Sequence, residues 1–289
     1  MEPTETAMPL QLEEQPCTTC GDRADLDGMS GGTPAYVFAI GQVEARFPNL
    51  SVEKEFAQAT GRTDTAGQTD RQVFQSVLSE RANRYLVRQL CWVLTIEGFE
   101  TYILVPRDPA DVDLLLEAVR GEPRATDLDV VVGVRGPIAP PSMCNGLQLP
   151  IVGFDQIWSF DENALIGAIP RPEQLSAEQF EPAARELFSR IMQMADNAGA
   201  TDEHRALNYL AVRYPNIYHQ TTDLFARNFS LSAVDVRPSR LSGVRKIVDV
   251  IFSYANRQTD VMERYFVRVD VTEEWPFLVS RPAPFYERS

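Results

Sequence analysis

Histidine is nearly absent from this 289-residue chain, which has only His204 and His219. A serine hydrolase needs a hydroxyl, a base and an orienting group held together, so few such arrangements are open to it. His204 lies in Thr201-Asp202-Glu203-His204-Arg205, which reads as a helix N-cap with acidic first-turn residues. His219 follows Tyr218 and Pro215 and reads as a helix-surface residue. Ser30, in Gly28-Met29-Ser30-Gly31-Gly32, lacks the apolar strand that precedes a nucleophile turn. There is no Walker loop and no GxGxxG after a strand, so nucleotide binding has no support. Glu273 and Glu274 are adjacent, and on a strand they would point to opposite faces. No catalytic residue is assigned.

Basic charge is also scarce. Lys and Arg total 27 against 41 Asp and Glu, a formal net charge of −14. That balance argues against nucleic acid and anionic membranes as partners. No apolar run approaches the roughly 20 residues of a membrane span. The opening Met1-Glu2-Pro3-Thr4-Glu5 lacks the basic and apolar regions of a signal peptide, so a cytoplasmic location is expected. With 44% hydrophobic residues, the chain can bury one large core or two modest ones.

Cysteine is used four times, and the placement is informative. Cys17-Thr18-Thr19-Cys20-Gly21 has the shape of a zinc knuckle, with a glycine free to adopt positive φ beside two thiolates. A closed structural zinc site takes four ligands, and Cys91 and Cys144 remain to supply the other pair. Zinc bound by Cys17, Cys20, Cys91 and Cys144 would tie the N-terminal arm to the middle of the chain. Three alternatives stand beside it: a two-cysteine partial site, a Cys17/Cys20 redox pair, or no metal. Without metal, Cys91 within Leu90-Cys91-Trp92-Val93-Leu94 is a small buried hydrophobe and Cys144 an idle loop thiol.

The patterning predicts an α+β protein with mixed N-terminal strands and helices, a helical middle and antiparallel C-terminal strands. Residues 1–33 read as a flexible arm carrying the CxxC, 34–170 as an α/β subdomain, and 171–289 as helices plus an antiparallel sheet. Residues 34–289 could equally form one domain. A strand is expected from Tyr36 towards Phe47, a short helix from Ser51, and a longer helix from Asp70 to about Leu90. A hairpin should join Trp92–Ile96 to Thr101–Val105 through Glu97–Glu100, and Asp108-Pro109 should start a helix. Buried strands are expected at 129–134 and 149–154, separated by a stiff loop, Gly136–Pro141. Helices over 180–194, 203–214 and 217–229 lead to strands at 233–236, 246–254 and 265–271. In the middle one, Val248, Val250 and Phe252 alternate with Asp249, Ile251 and Ser253, predicting one buried and one partly exposed face.

Against the acidic background, Arg237, Arg240, Arg245 and Lys246 cluster within eleven residues, Val236 to Lys246. They read either as a solvated hairpin connection or as an anchor for a carboxylate or acidic peptide.

Several long stretches carry a family resemblance: Val52–Arg62, Arg84–Leu94, Gly136–Gly146, Met192–Pro215 and Val236–Val279. They resemble the C-terminal domain of unknown function on the PatG-like cyanobactin maturation proteases, the subtilisin-type macrocyclases of patellamide-type pathways. A related copy occurs on PatA-like leader proteases. The resemblance runs from about Cys17 onward. It implies a role in making ribosomally synthesised, post-translationally modified cyclic peptides. Proteolysis and macrocyclisation in that family belong to a separate subtilisin-like domain, whose Asp, His and Ser motifs have no match here. The expectation is a non-catalytic accessory module that binds a precursor peptide or partner enzymes, with an exposed edge of the C-terminal sheet as the contact. An unrecognised peptide-modifying enzyme using His204 and a structural homodimerisation domain are the competing readings.

Overall fold

In the computed structural model, residues 34–61, 66–171, 176–194 and 196–286 are described. The chain opens with β1 (Tyr36–Arg46), then α1 (Leu50–Thr60), α2 (Asp70–Ser79) and α3 (Arg84–Gln89). A hairpin follows, β2 (Cys91–Ile96) and β3 (Phe99–Pro106), then α4 (Val112–Ala118), β4 (Asp127–Ile138), β5 (Pro150–Asp161) and α5 (Glu162–Ala168). Three longer helices come next: α6 (Ala177–Met192), α7 (Asp202–Arg213) and α8 (Asn216–Ala226). The C-terminal strands are β6 (Phe229–Pro238), β7 (Ile247–Asn256) and β8 (Met262–Asp270), with two short ones, β9 (Phe277–Leu278) and β10 (Ala283–Pro284). The expected α+β class holds.

The first five strands close into a barrel in the order β1-β2-β3-β5-β4. All its pairings are antiparallel except β3 with β5. Side chains of one parity, including Val37, Ala39, Trp92, Leu104, Val131 and Val152, share a core with α1 to α4. The opposite parity of β1 and β4, Phe38, Ile40, Val130 and Val132, packs with α5 to α8 and the second sheet. The barrel wall is therefore apolar on both sides, which explains why its strands read as nearly continuous hydrophobic runs.

Local chemistry accounts for most boundaries. Asn49, not Ser51, caps α1: its Oδ1 accepts from the Val52 amide at 3.0 Å. The helix expected over Asp70–Leu90 breaks at Glu80, whose ψ of 129° is extended. The Asn83 side-chain amide donates to the Val77 carbonyl at 3.0 Å and to Glu80 at 3.1 Å. These bonds satisfy groups left open at the end of α2 and turn the chain. The hairpin is tighter than expected, because Glu97 and Gly98 both take positive φ (49° and 83°), as a two-residue type I′ turn requires. Gly136–Ile138, expected as loop, extends β4, and Ile138 pairs with Pro150. The short helix α5 was not anticipated; Asp161 caps it by accepting from the Ala164 amide.

Between α6 and α7, residues 197–200 fasten the helical layer to the barrel. The Phe38 amide donates to the Gly199 carbonyl at 2.9 Å, and the Tyr102 hydroxyl to that of Ala198 at 2.9 Å. Asn208 on α7 donates to the Phe38 carbonyl at 2.9 Å and exchanges amide bonds with Asn197. Gly199 has φ +69°, and a Cβ there would fall 2.4 Å from the Phe38 oxygen.

The second sheet runs β10-β8-β7-β6, with β9 also on β8. β7 is its central strand. Asp249 is half-buried, but Ile251 and Ser253 are as buried as Val250 and Phe252. The expected exposed face is thus mostly covered.

Candidate functional site

The site of interest is built at the free side of β6. Among the described residues no strand pairs with its outer edge, since its partner is β7 alone. The Ser239 amide donates to the Ile247 carbonyl at 2.8 Å. In an antiparallel ladder, alternate residues then face β7 with their backbone groups. The register Arg237↔Asp249 and Asp235↔Ile251 continues that pattern. By the same alternation, the backbone groups of Val234 and Val236, and the carbonyl of Pro238, point away from the sheet.

Two features bracket this open run. At its start a bulge at Ser232 shifts the register between Leu231 and Ala233, and the Ser232 hydroxyl donates to the Ser253 carbonyl at 3.0 Å. At its end Pro238 closes the strand. A cavity of about 230 Å³ lies beside the first half, between Leu231, Ala233 and Val234 and the end of α6 with Arg190, Gln193 and Met194.

The four basic residues singled out by sequence do not act as one cluster. Arg245 reaches the buried Asp270 carboxylate at 3.2 Å, and Lys246 lies 3.7 Å from Asp202. Arg237 is stacked over the Phe285 ring at 4.4 Å, leaving its charge without a carboxylate partner among the described residues. Arg240 is exposed and makes no ion pair among them. Two charges are therefore spent within the fold and two remain at the strand edge. The same turn exposes Leu241 and Val244.

Sequence reasoning missed a charged junction between the barrel and the second sheet. Arg205, in the first turn of α7, is only 2% exposed. Its guanidinium donates to the carbonyls of Val271 (2.8 Å), Glu274 (3.1 Å) and Glu273. It also lies over the Tyr36 ring at 5.2 Å. Arg107 binds Asp155 at 2.6 Å and sits 3.8 Å from Glu274. Burial, followed by the hydrogen bond and repulsion from Asp155, pushes the Glu274 carboxyl up to about 7. The adjacent Glu273-Glu274 was visible in sequence, but the partner of Glu274 comes from β5.

The histidines are peripheral to the strand edge. The Thr201 hydroxyl accepts from the His204 amide at 3.2 Å, as an N-cap should. Burial lowers the His204 imidazole below its ordinary range, and its Nδ1 is buried with no hydrogen-bond partner among the described residues. His219 Nε2 contacts the Pro170 carbonyl.

Cys91 and Cys144 are brought together, with Cα atoms 5.4 Å apart, as a disulfide. Cys17, Cys20 and Ser30 lie outside the described residues. Among the described residues no group of three or more His, Cys, Asp or Glu side chains is arranged to hold a metal ion. The disulfide lies in the wall of a cavity of about 980 Å³, whose lining includes Trp92, Leu104, Leu115 and Met143.

The strand edge, α6 and the basic turn all fall in one stretch that a known family profile covers. Residues 174–285 match the PatG C-terminal family. The PatG resemblance read from sequence therefore holds for this part of the chain. A solved structure of the PatG domain of unknown function has the same fold across a wider span. It superposes with a TM-score of 0.69 at 19% identity, covering 87% of this chain and 99% of that one. At that identity the likeness establishes fold. No curated protein matches the chain. Among the described residues, no helix is long and apolar enough to cross a membrane.

Proposed function

We propose that this chain is a non-catalytic accessory module in the biosynthesis of cyanobactin-like, ribosomally synthesised and post-translationally modified peptides. Its work is to bind the precursor peptide or partner enzymes in the cytoplasm. The observation that carries this reading is the open edge of β6, within the residues that match the PatG C-terminal family. An exposed strand edge is a ready template for an extended peptide, because its unpaired N–H and C=O groups supply affinity without a preformed pocket.

The test is direct. Purified protein is titrated with labelled precursor peptide, and the same mixtures are followed by mass spectrometry and for stereochemical change. Saturable binding without turnover is expected. Turnover abolished by His204→Ala would replace this reading with an enzymatic one. A protein that forms a dimer in light scattering but binds no peptide would replace it with a structural dimerisation role.

A structural zinc bound by Cys17, Cys20, Cys91 and Cys144 is the second part of the proposal. What supports it is the convergence of Cys91 and Cys144, which are 53 residues apart in sequence. Kept reduced in a cytoplasm, that pair offers two adjacent thiolates, and the CxxC offers the two that complete a tetrahedral shell. Four thiolates leave no open position, so such a metal would stabilise and not catalyse. Elemental analysis of chelator-free protein should give about one zinc per chain, and Cys91→Ser should lose metal and stability together. A zinc content near zero with all four thiols titratable in the folded protein would end the proposal.

A further inference from the structure

We infer that the outer edge of β6 from Ala233 to Pro238, with Arg190, Arg237 and Arg240 along it, receives an extended peptide bearing acidic side chains as an added strand. This rests on the peptide-binding reading above and specifies where the peptide lies and what chemistry it carries.

The backbone geometry comes first. Natural sheet edges are usually blunted by bulges, prolines or charges placed within the edge. Here the bulge at Ser232 and the proline at 238 bracket the edge and leave the run between them regular. That run offers the outward N–H and C=O groups of Val234 and Val236 and the carbonyl of Pro238. It matches the usual strand length of about 5–6 residues. The opposite side of the sheet is finished differently, with β9 and β10 covering β8.

Charge then selects the occupant. Arg190 lines the cavity beside Ala233 and Val234. Arg237 is held by the Phe285 ring, and Arg240 projects from the turn after Pro238. None of the three makes an ion pair among the described residues. Asp235 is the sole acid within β6. Three guanidiniums that no carboxylate of the described residues pairs give this edge local positive charge on a chain of net charge −14, which favours carboxylate side chains. Arginine is suited to the role because its planar fork donates two parallel hydrogen bonds to a carboxylate.

The experiment uses the full chain and two fluorescein-labelled peptides of alternating sequence, Val-Glu and Val-Gln, followed by anisotropy at low and high salt. The Val-Glu peptide should bind at least about ten-fold tighter at low salt, and the preference should shrink as salt screens the arginines. Val236→Pro removes an outward N–H that makes no bond to β7, so it should weaken binding by about ten-fold or more at a temperature well below its unfolding midpoint, which loss of the Val236 packing lowers. Arg190→Glu with Arg240→Glu lies outside the strand and should abolish the preference for the Val-Glu peptide. This second variant keeps the test decisive if proline disturbs folding. Equal affinity of the two peptides, or binding unchanged by both variants, would overturn the inference. So would a concentration-dependent dimer that Val236→Pro dissolves, which would assign the edge to a second copy of the chain. Precursor binding that both variants leave intact would sink this edge while sparing the proposed function. Val-Glu binding without precursor binding would do the reverse.

Discussion

Replacing Glu274 with glutamine should stabilise the protein at alkaline pH and leave it unchanged at acid pH. Burial, and then Asp155, raise this carboxyl to about 7 from 4.5, although Arg107 and Arg205 favour its charged form. A folded state that holds a proton more tightly than the unfolded chain loses stability as pH rises. Here the loss begins near 4.5 and is complete above about 7. At about 1.36 kcal/mol per pH unit, the gap corresponds to about 3 kcal/mol. Asp155 and Arg107 are 33% and 43% exposed, so solvent screening reduces the expected effect to roughly 1–2 kcal/mol. Glutamine keeps a donor towards Asp155 but carries no charge. Urea unfolding of both proteins at pH 4 and pH 8 measures the effect. The two curves should nearly coincide at pH 4, and the variant should be more stable by roughly 1–2 kcal/mol at pH 8. Other buried groups, among them Asp129 and His204, titrate in both proteins, so the difference isolates Glu274. A variant equally shifted at both pH values, or less stable at pH 8, would refute the reasoning.

Two further substitutions test how the helical layer is fastened to the barrel. Gly199→Ala should cost more than about 2 kcal/mol, because a left-handed residue acquires a Cβ that collides with the Phe38 carbonyl. Gly67→Ala, at φ +78° with no described residue within 4 Å of its Cβ, should cost only about 1 kcal/mol in the same thermal melt, and equal losses would remove the steric argument. Asn208→Ala should cost about 2–3 kcal/mol, since it strands the Phe38 carbonyl and the Asn197 amide in the core. A shift in melting temperature no larger than that of an exposed substitution on α7 would show the amide pair to be dispensable.

Local chemistry made much of the fold legible in advance. The α+β class, the existence of a hairpin after Ile96 (though not its two-residue turn), the Thr201 N-cap and the separation of α7 from α8 at Pro215 all follow from short-range signals. Where those signals misled, a neighbour outside the reading window decided. Asn83 folds back to end α2. Pairing with β5 draws Gly136–Ile138 into β4, and β7, central between β6 and β8, is buried on most of both faces.

The candidate site divides in the same way. The basic residues around β6 were visible as an excess of charge, and an exposed edge of the C-terminal sheet was expected. Which edge stayed open could not be read, because it depends on strand order. The division of labour among the basic residues was equally hidden. Asp270 and Asp202, which engage Arg245 and Lys246, arrive from β8 and α7. By itself, then, the sequence determined most element types, the Thr201 cap, the acidic balance and a resemblance to PatG that holds over residues 174–285. Only the tertiary structure decided barrel closure through Ala39 and Val131, the meeting of Cys91 with Cys144, and the junction of Asp155 with Glu274. The physical reason is that propensity and capping act over a few residues. Strand pairing, burial and charge compensation depend on which distant segments exclude water together.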